Sequence, residues 1–190
     1  MNVRTSRSEA QRRLKANHPH QAFAEDYQPT PSGVFDDIMC GLDLDPSEHT
    51  FVDLGAGKGR ILFLAAAYPF RNIVGVELIP SLAAACRDNI ESFAAPWARC
   101  SSLQCVTEDA ATYRPPDVPL VLYLYNPFQA PVVRRVLSNL RDSHRRQPRT
   151  VWLIYYMPVH RHHIDHDELW SVVDEHRDWV VYRTYGPRAV

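Results

Sequence analysis

Residues 51–60 read FVDLGAGKGR, and the fold depends on how these ten residues divide. Phe51, Val52 and Leu54 make a short apolar run of β character with Asp53 inside it. Glycine then occupies alternate positions, Gly55, Gly57 and Gly59, and an apolar segment, ILFLAAAY, starts at Ile61. Strand, glycine-rich turn and helix in that order form the unit with which open α/β sheets bind nucleotides. The turn is tight and a ligand must approach bare backbone, which glycine alone permits cheaply. The first turn of the following helix adds N–H groups without intrahelical partners.

The spacing separates two kinds of ligand. A dinucleotide-binding G-x-G-x-x-G starting at Gly55 needs glycine at position 60, where this chain has Arg60. Downstream, Ile73-Val74-Gly75-Val76 reads as a second buried strand ending in Glu77, twenty-four residues after Asp53. That distance holds one turn, one helix and one loop. A carboxylate ending the second strand can accept hydrogen bonds from both hydroxyls of a ribose.

The pattern onward alternates. Ser81–Phe93 has helical composition with Pro80 placed to start it, and Leu103–Thr107 is a modest strand. Leu120–Tyr125 (LVLYLY) is apolar on both faces, as a central parallel strand is. Pro131–His144 carries Val132, Val133, Val136, Leu137 and Leu140 at helical spacing. Val151–Tyr156 (VWLIYY) is a fifth buried strand, and Leu169–Val173 with Val180–Tyr185 fits a closing hairpin. The order βαβαβ(α)βαβ, then β-β, predicts an α/β fold: a doubly wound, mostly parallel seven-stranded sheet with a C-terminal antiparallel hairpin.

Composition fits one domain of this kind. The chain has 190 residues, 45% of them hydrophobic, and a formal charge of −1. Its longest apolar run, Ile61–Tyr68, is too short to span a bilayer, and the start, MNVRTSRSEAQRRLK, has no apolar core of a signal peptide. Four cysteines at 40, 86, 100 and 105 form no C-x-x-C pair, as expected of a reduced cytoplasmic protein. Residues 1–32 read as an N-terminal tail and possible lid, and residues 33–190 as the ligand-binding domain.

FVDLGAGKGR, VGVE and VLYLYNPF together resemble the first, second and fourth motifs of the class I S-adenosylmethionine (SAM) methyltransferases, over roughly residues 33–185. Within that family the chain is similar to small bacterial members and to lysine methyltransferases related to Dot1, which pair such a loop with an upstream tyrosine-and-threonine segment, here Tyr27-Gln28-Pro29-Thr30. The resemblance implies SAM as the cofactor. Asp53 and the backbone of Gly55, Ala56, Gly57 and Gly59 would surround its methionine part, Asp53 holding the ammonium group. Glu77 would take the ribose hydroxyls, with Leu78 or Ile79 against adenine. Glu108-Asp109-Ala110 would lie near the adenine amino group, although an acidic pair after a strand also makes a helix cap.

Asn126-Pro127-Phe128 closes the LVLYLY strand and is similar to the N-P-P-Y element of amino methyltransferases, without its second proline and tyrosine. By that likeness Asn126, Phe128 and Tyr27 are the candidate catalytic residues, Asn126 touching the methyl donor or the acceptor. Tyr125, Tyr155 and Tyr156 could attract the sulfonium through their π faces or simply pack in the core. His160, His162, His163 and His166 invite a zinc assignment. No second ligand group accompanies them, so no metal is expected and a substrate-facing loop with pH-sensitive charge is the reading adopted.

The acceptor is where the residues say least. The altered N-P-P-Y element and the near-neutral charge argue against nucleic acid, leaving a protein side chain, slightly favoured, or a small molecule. A catalytically silent SAM-binding sensor or partner subunit is the alternative function. No membrane association is expected, and the oligomeric state is open.

Overall fold

In the computed structural model, which describes residues 30–125 and 128–184, the FVDL run occupies a strand buried at every position, β1 (Thr50–Leu54). The described elements follow in the order α1 (Ser32–Gly41), β1, α2 (Arg60–Ala65), β2 (Asn72–Glu77), α3 (Pro80–Glu91), β3 (Leu103–Thr107), β4 (Leu120–Tyr125), α4 (Ala130–Arg146), β5 (Val151–Tyr156), α5 (His162–Asp165), β6 (Trp170–Glu175) and β7 (Trp179–Thr184). The strands form one seven-stranded sheet, β3-β2-β1-β4-β5-β7-β6. The first five strands pair in parallel, and β7 runs antiparallel to β5 and β6. The expected architecture is the observed one.

Alternation along the strands divides the core. Phe51, Ile73, Val121, Tyr123, Trp152 and Ile154 face a layer containing residues of α1, α2 and α3. Val52, Val74, Leu120, Leu122, Leu124 and Leu153 face α4 and α5. The five apolar residues of α4 singled out by spacing are all buried, so hydrophobic burial fixes that helix against the sheet.

Three elements differ from the sequence expectation. Ser32–Gly41 is a full helix with Phe35, Ile38 and Met39 buried, an element the sequence reading did not name. Its apolar residues are few, and glycines at both ends mask the signal. The bracketed helix between β3 and β4 does not form: Tyr113–Pro119 (YRPPDVP) holds three prolines, which remove backbone donors and block helical packing. Arg149, itself buried, ties that proline segment down by donating to the carbonyls of Pro116 and Val118 at 3.0 and 2.7 Å. The histidine run, read as a loop, contains the short helix α5.

The chain leaves β1 for β2 and β3 on one side and returns through β4 and β5 on the other. The sheet therefore reverses its winding between β1 and β4, and the carboxyl ends of these two strands open the crevice where such sheets bind ligands. The glycine loop follows β1 at that point.

Gly75 on β2 lets the loop sit against the sheet: a Cβ there would stand 2.9 Å from the Cβ of Ala56 and 2.7 Å from Cδ1 of Leu62. Gly75→Ala should therefore destabilise the domain by about 1–3 kcal/mol through overpacking. The check is a lower urea midpoint at unchanged slope; a midpoint equal to that of the parent chain would mean the loop does not rest on β2 as described.

Candidate cofactor site

The glycine loop is built from backbone. Gly55 and Ala56 both donate their N–H groups to the Val76 carbonyl, at 2.9 and 3.1 Å, folding the loop back over β2. Gly55, Gly57 and Gly59 have φ of 88°, 55° and 87°, a region that a side chain makes costly. At Gly59 a Cβ would also come within 2.6 Å of the Cys86 sulfur. Alternate spacing of glycine thus reflects three left-handed residues in one turn. Asn89 of α3 secures the tip by donating Nδ2 to the Lys58 carbonyl at 3.1 Å.

Glu77 joins the loop to β2. Its Oε2 accepts the Gly57 N–H and its Oε1 accepts the Ile79 N–H, each at 2.8 Å. Each oxygen keeps acceptor capacity for a hydroxyl, so the two can still receive a vicinal diol. Burial raises the Glu77 pKa, and the backbone N–H groups oppose that rise.

Asp53 is buried too, at 4% exposure, yet no hydrogen bond or ion pair to its carboxylate is found among the described residues. Burial first, and the neighbouring Glu77 charge second, push its pKa well above the usual carboxylate range. A buried acid without a partner is costly in the unliganded fold. An ammonium group placed beside it would offset that cost, so the residues fit the amino-acid end of SAM.

The remaining predicted contacts fall around this pair. Leu78 is half-buried and Ile79 buried immediately after Glu77. The Glu108 N–H donates to the Glu77 carbonyl at 3.0 Å, carrying the β3 end alongside. Asp109 Oδ1 accepts the Ala111 N–H at 2.8 Å, a turn-capping role, and Ala110 packs in the α4-side core. Phe128 is half-buried against that same core. Tyr155 is fully buried and serves packing, whereas Tyr125 and Tyr156 meet edge to face at 4.7 Å at the carboxyl ends of β4 and β5. Asn126 and Tyr27 lie outside the described residues.

Sequence reading missed a second set of contacts behind the loop. Thr30 is buried, its hydroxyl shares a hydrogen bond of 2.8 Å with Tyr123, and its carbonyl accepts Nε of Arg60 at 2.9 Å. Tyr123 pairs in register with Asp53 across β1 and β4. The one available signal was Tyr123 in the interior of the LVLYLY strand. Cys86 and Cys105 are buried free thiols; the Cys86 sulfur lies beneath Gly59, and the neighbouring Cys105 together with burial pushes its pKa up.

No protein-family model matches the sequence, and no curated protein is similar to it. Solved structures are similar in fold. A proposed RNA methyltransferase from Pyrococcus horikoshii aligns with a TM-score of 0.59 at 16% identity, covering 94% of this chain and 96% of that one. The 23S rRNA methyltransferase ErmE aligns at 0.54 and 17%, covering 87% and 70%. A predicted N6-adenine-specific DNA methylase from Listeria monocytogenes aligns at 0.59 and 14%, covering 84% and 52%. The chain has the fold of the class I SAM-dependent methyltransferases.

These neighbours are named for RNA or DNA, which overturns the expectation that nucleic acid is an unlikely partner. Net charge sums over the whole surface and is silent about the face beside the site. For the membrane, the structure says only that no helix among the described residues is long and apolar enough to cross one.

The state of Asp53 has a measurable consequence. Its folded pKa lies above the unfolded value of about 4, so the folded chain holds a proton that the unfolded chain has already released. Stability is then lost as pH rises from the unfolded pKa towards the folded one. Asp53→Asn should raise the melting midpoint of the unliganded protein near neutral pH by at least about 2 °C, what ~1 kcal/mol is worth at this length, and by less near pH ~4. Equal shifts at both pH values, or a lower midpoint near neutrality, would show that Asp53 is not a strained buried acid.

Proposed function

We propose that this chain is a SAM-dependent methyltransferase whose acceptor is nucleic acid. The observation that carries the cofactor assignment is the buried Asp53, without a partner among the described residues, beside Glu77 and the left-handed glycine turn, at the point where the sheet reverses its winding. A cation with a ribose attached is what that arrangement suits. RNA and DNA methylases of the same fold support the acceptor class.

SAM would supply an electrophilic methyl group on a sulfonium: the S–CH3 bond would break as the bond to the acceptor atom forms in line, S-adenosylhomocysteine would leave, and an amine acceptor would give up its proton to water. Charge is neutralised in that step, so alignment matters more than acid–base power, and holding both partners in place can supply roughly 7–11 kcal/mol in ideal cases. In this reading Asp53 and the loop fix the amino-acid end and Glu77 fixes the ribose. The Tyr125–Tyr156 pair, at the carboxyl edge, offers π faces to the sulfonium. Leu78 and Ile79 lie against adenine, with Glu108-Asp109 beside its amino group. Asn126, directly after β4 in sequence, and Phe128 receive the acceptor, with the Asn126 side-chain oxygen taking a hydrogen bond from an amine. Residues 1–32, with Tyr27, act as a covering segment. The burial of Thr30 against Tyr123 and Arg60, close behind the loop, supports that role.

The purified chain incubated with methyl-labelled SAM and fractionated lysate should place label in RNA or DNA. Label confined to protein or small molecules would refute the acceptor class, and SAM binding without any labelled product would favour a silent sensor.

Glu77 offers a narrower test. Because its carboxylate also holds two backbone N–H groups, Glu77→Gln disturbs the loop less than Glu77→Ala. It should weaken SAM binding by about 1.5–3 kcal/mol, the worth of hydrogen bonds to a charged group, measured by isothermal titration on protein with an unchanged circular dichroism spectrum. Unchanged affinity would remove the ribose assignment.

A further inference from the structure

The cradle described above leaves one charged group of SAM without a counterpart. Asp53 suits the ammonium group and Glu77 the ribose, but the amino-acid end also carries a carboxylate. Both protein groups are acids, so a third anion entering beside them needs a cation of its own.

Two cations belong to the glycine loop, and their contacts send them to opposite sides. Lys58 stands at the tip, where its carbonyl is tied to Asn89 of α3, the helix that packs on β2 and β3. Arg60 follows the last loop glycine as the first residue of α2 and leans towards β4 instead. Its Nε donates to the Thr30 carbonyl at 2.9 Å. The Thr30 hydroxyl in turn shares a hydrogen bond of 2.8 Å with Tyr123, the register partner of Asp53. The guanidinium is thus anchored on the β1–β4 side of the loop, where the sheet reverses its winding.

The anchor is firm. Thr30 is buried and directly precedes the N-cap of α1, whose Phe35 packs against Phe51 and Tyr123 at ring-centroid distances of 5.9 and 6.0 Å. One donor of the guanidinium is fixed by this contact, and several more remain. Arg60 is half-buried and forms no ion pair among the described residues. Nor does it serve Asp53, since every influence on that acid raises its pKa. A planar fork held at Nε, with its Nη groups unengaged among the described residues, is pre-organised for a carboxylate.

We infer that Arg60 receives the α-carboxylate of SAM through its Nη groups while Nε stays on the Thr30 carbonyl, which makes the site selective for adenosyl ligands with an intact amino-acid end. This rests on the cofactor assignment above and deepens it. Asp53 and Arg60 together read a zwitterion, ammonium against acid and carboxylate against guanidinium. A ligand that lacks either charge leaves one of them unanswered.

Isothermal titration of the full chain with SAM and with decarboxylated SAM isolates the contact, because the second ligand keeps the adenosine, sulfonium and amine and lacks only the carboxylate. The parent chain should bind SAM more tightly by roughly 10- to 100-fold, the worth of hydrogen bonds to a charged group. Arg60→Gln should remove most of that preference by weakening SAM alone, with its affinity for decarboxylated SAM unchanged. Arg60→Lys keeps the charge without the fork and should fall between the two. A parent chain that binds both ligands equally would overturn the Arg60 contact without any variant. So would an Arg60→Gln protein that loses affinity for both to the same extent, which marks a role in the fold alone. A parent chain that binds neither ligand, nor S-adenosylhomocysteine, would overturn the contact and the cofactor assignment together.

Discussion

The turn that carries the chain from β1 onto β2 depends on one carbonyl and one carboxylate. Val76 accepts the N–H groups of Gly55 and Ala56, and Glu77 accepts that of Gly57. Three consecutive turn residues of the loop are thereby bound to the end of the neighbouring strand, with left-handed backbone at each glycine. Parallel pairing of β1 with β2 sets the distance, and Gly75 leaves the space beneath. The same carboxylate that organises the loop keeps acceptor capacity on both oxygens. In the proposed reading structure and binding share one side chain, and Glu77, buried and accepting two backbone N–H groups, is no surface acid at a strand end.

Asp53 is the counterpart. Placed in the strand interior rather than at its end, it is buried without a partner among the described residues, and Tyr123 and Thr30 close the space behind it. Such an acid weakens the fold, and in the proposed reading the ammonium group of SAM offsets that cost. Pre-formed cradles of this type trade stability for alignment. The buried Cys86 sulfur beneath Gly59 and the Asn89 contact to Lys58 support the loop from α3 as well as from the sheet.

Much of this was legible because local chemistry dictated it. FVDL, IVGV, LVLYLY and VWLIYY are apolar at every or nearly every position, and only doubly covered strands use such runs. The glycines report left-handed backbone, and the distance from Asp53 to Glu77 matches one βαβ step. Helix α1 was missed because Phe35, Ile38 and Met39 make too short a stripe between glycines. The Thr30–Tyr123 bond joins residues far apart in the chain, which no local pattern reveals. The expectation against nucleic acid failed for a different reason: a net charge of −1 sums over the whole surface and says nothing of the face beside the site.

The central claim is that Asp53 and Glu77 hold the two ends of one SAM molecule. A crystal structure of the chain with S-adenosylhomocysteine tests it most directly. The account predicts both ribose hydroxyls within hydrogen-bonding distance of the Glu77 carboxylate and the amino group beside Asp53, contacted directly or through one water. A nucleoside bound elsewhere on the sheet edge, or bound with its ribose away from Glu77, would contradict it.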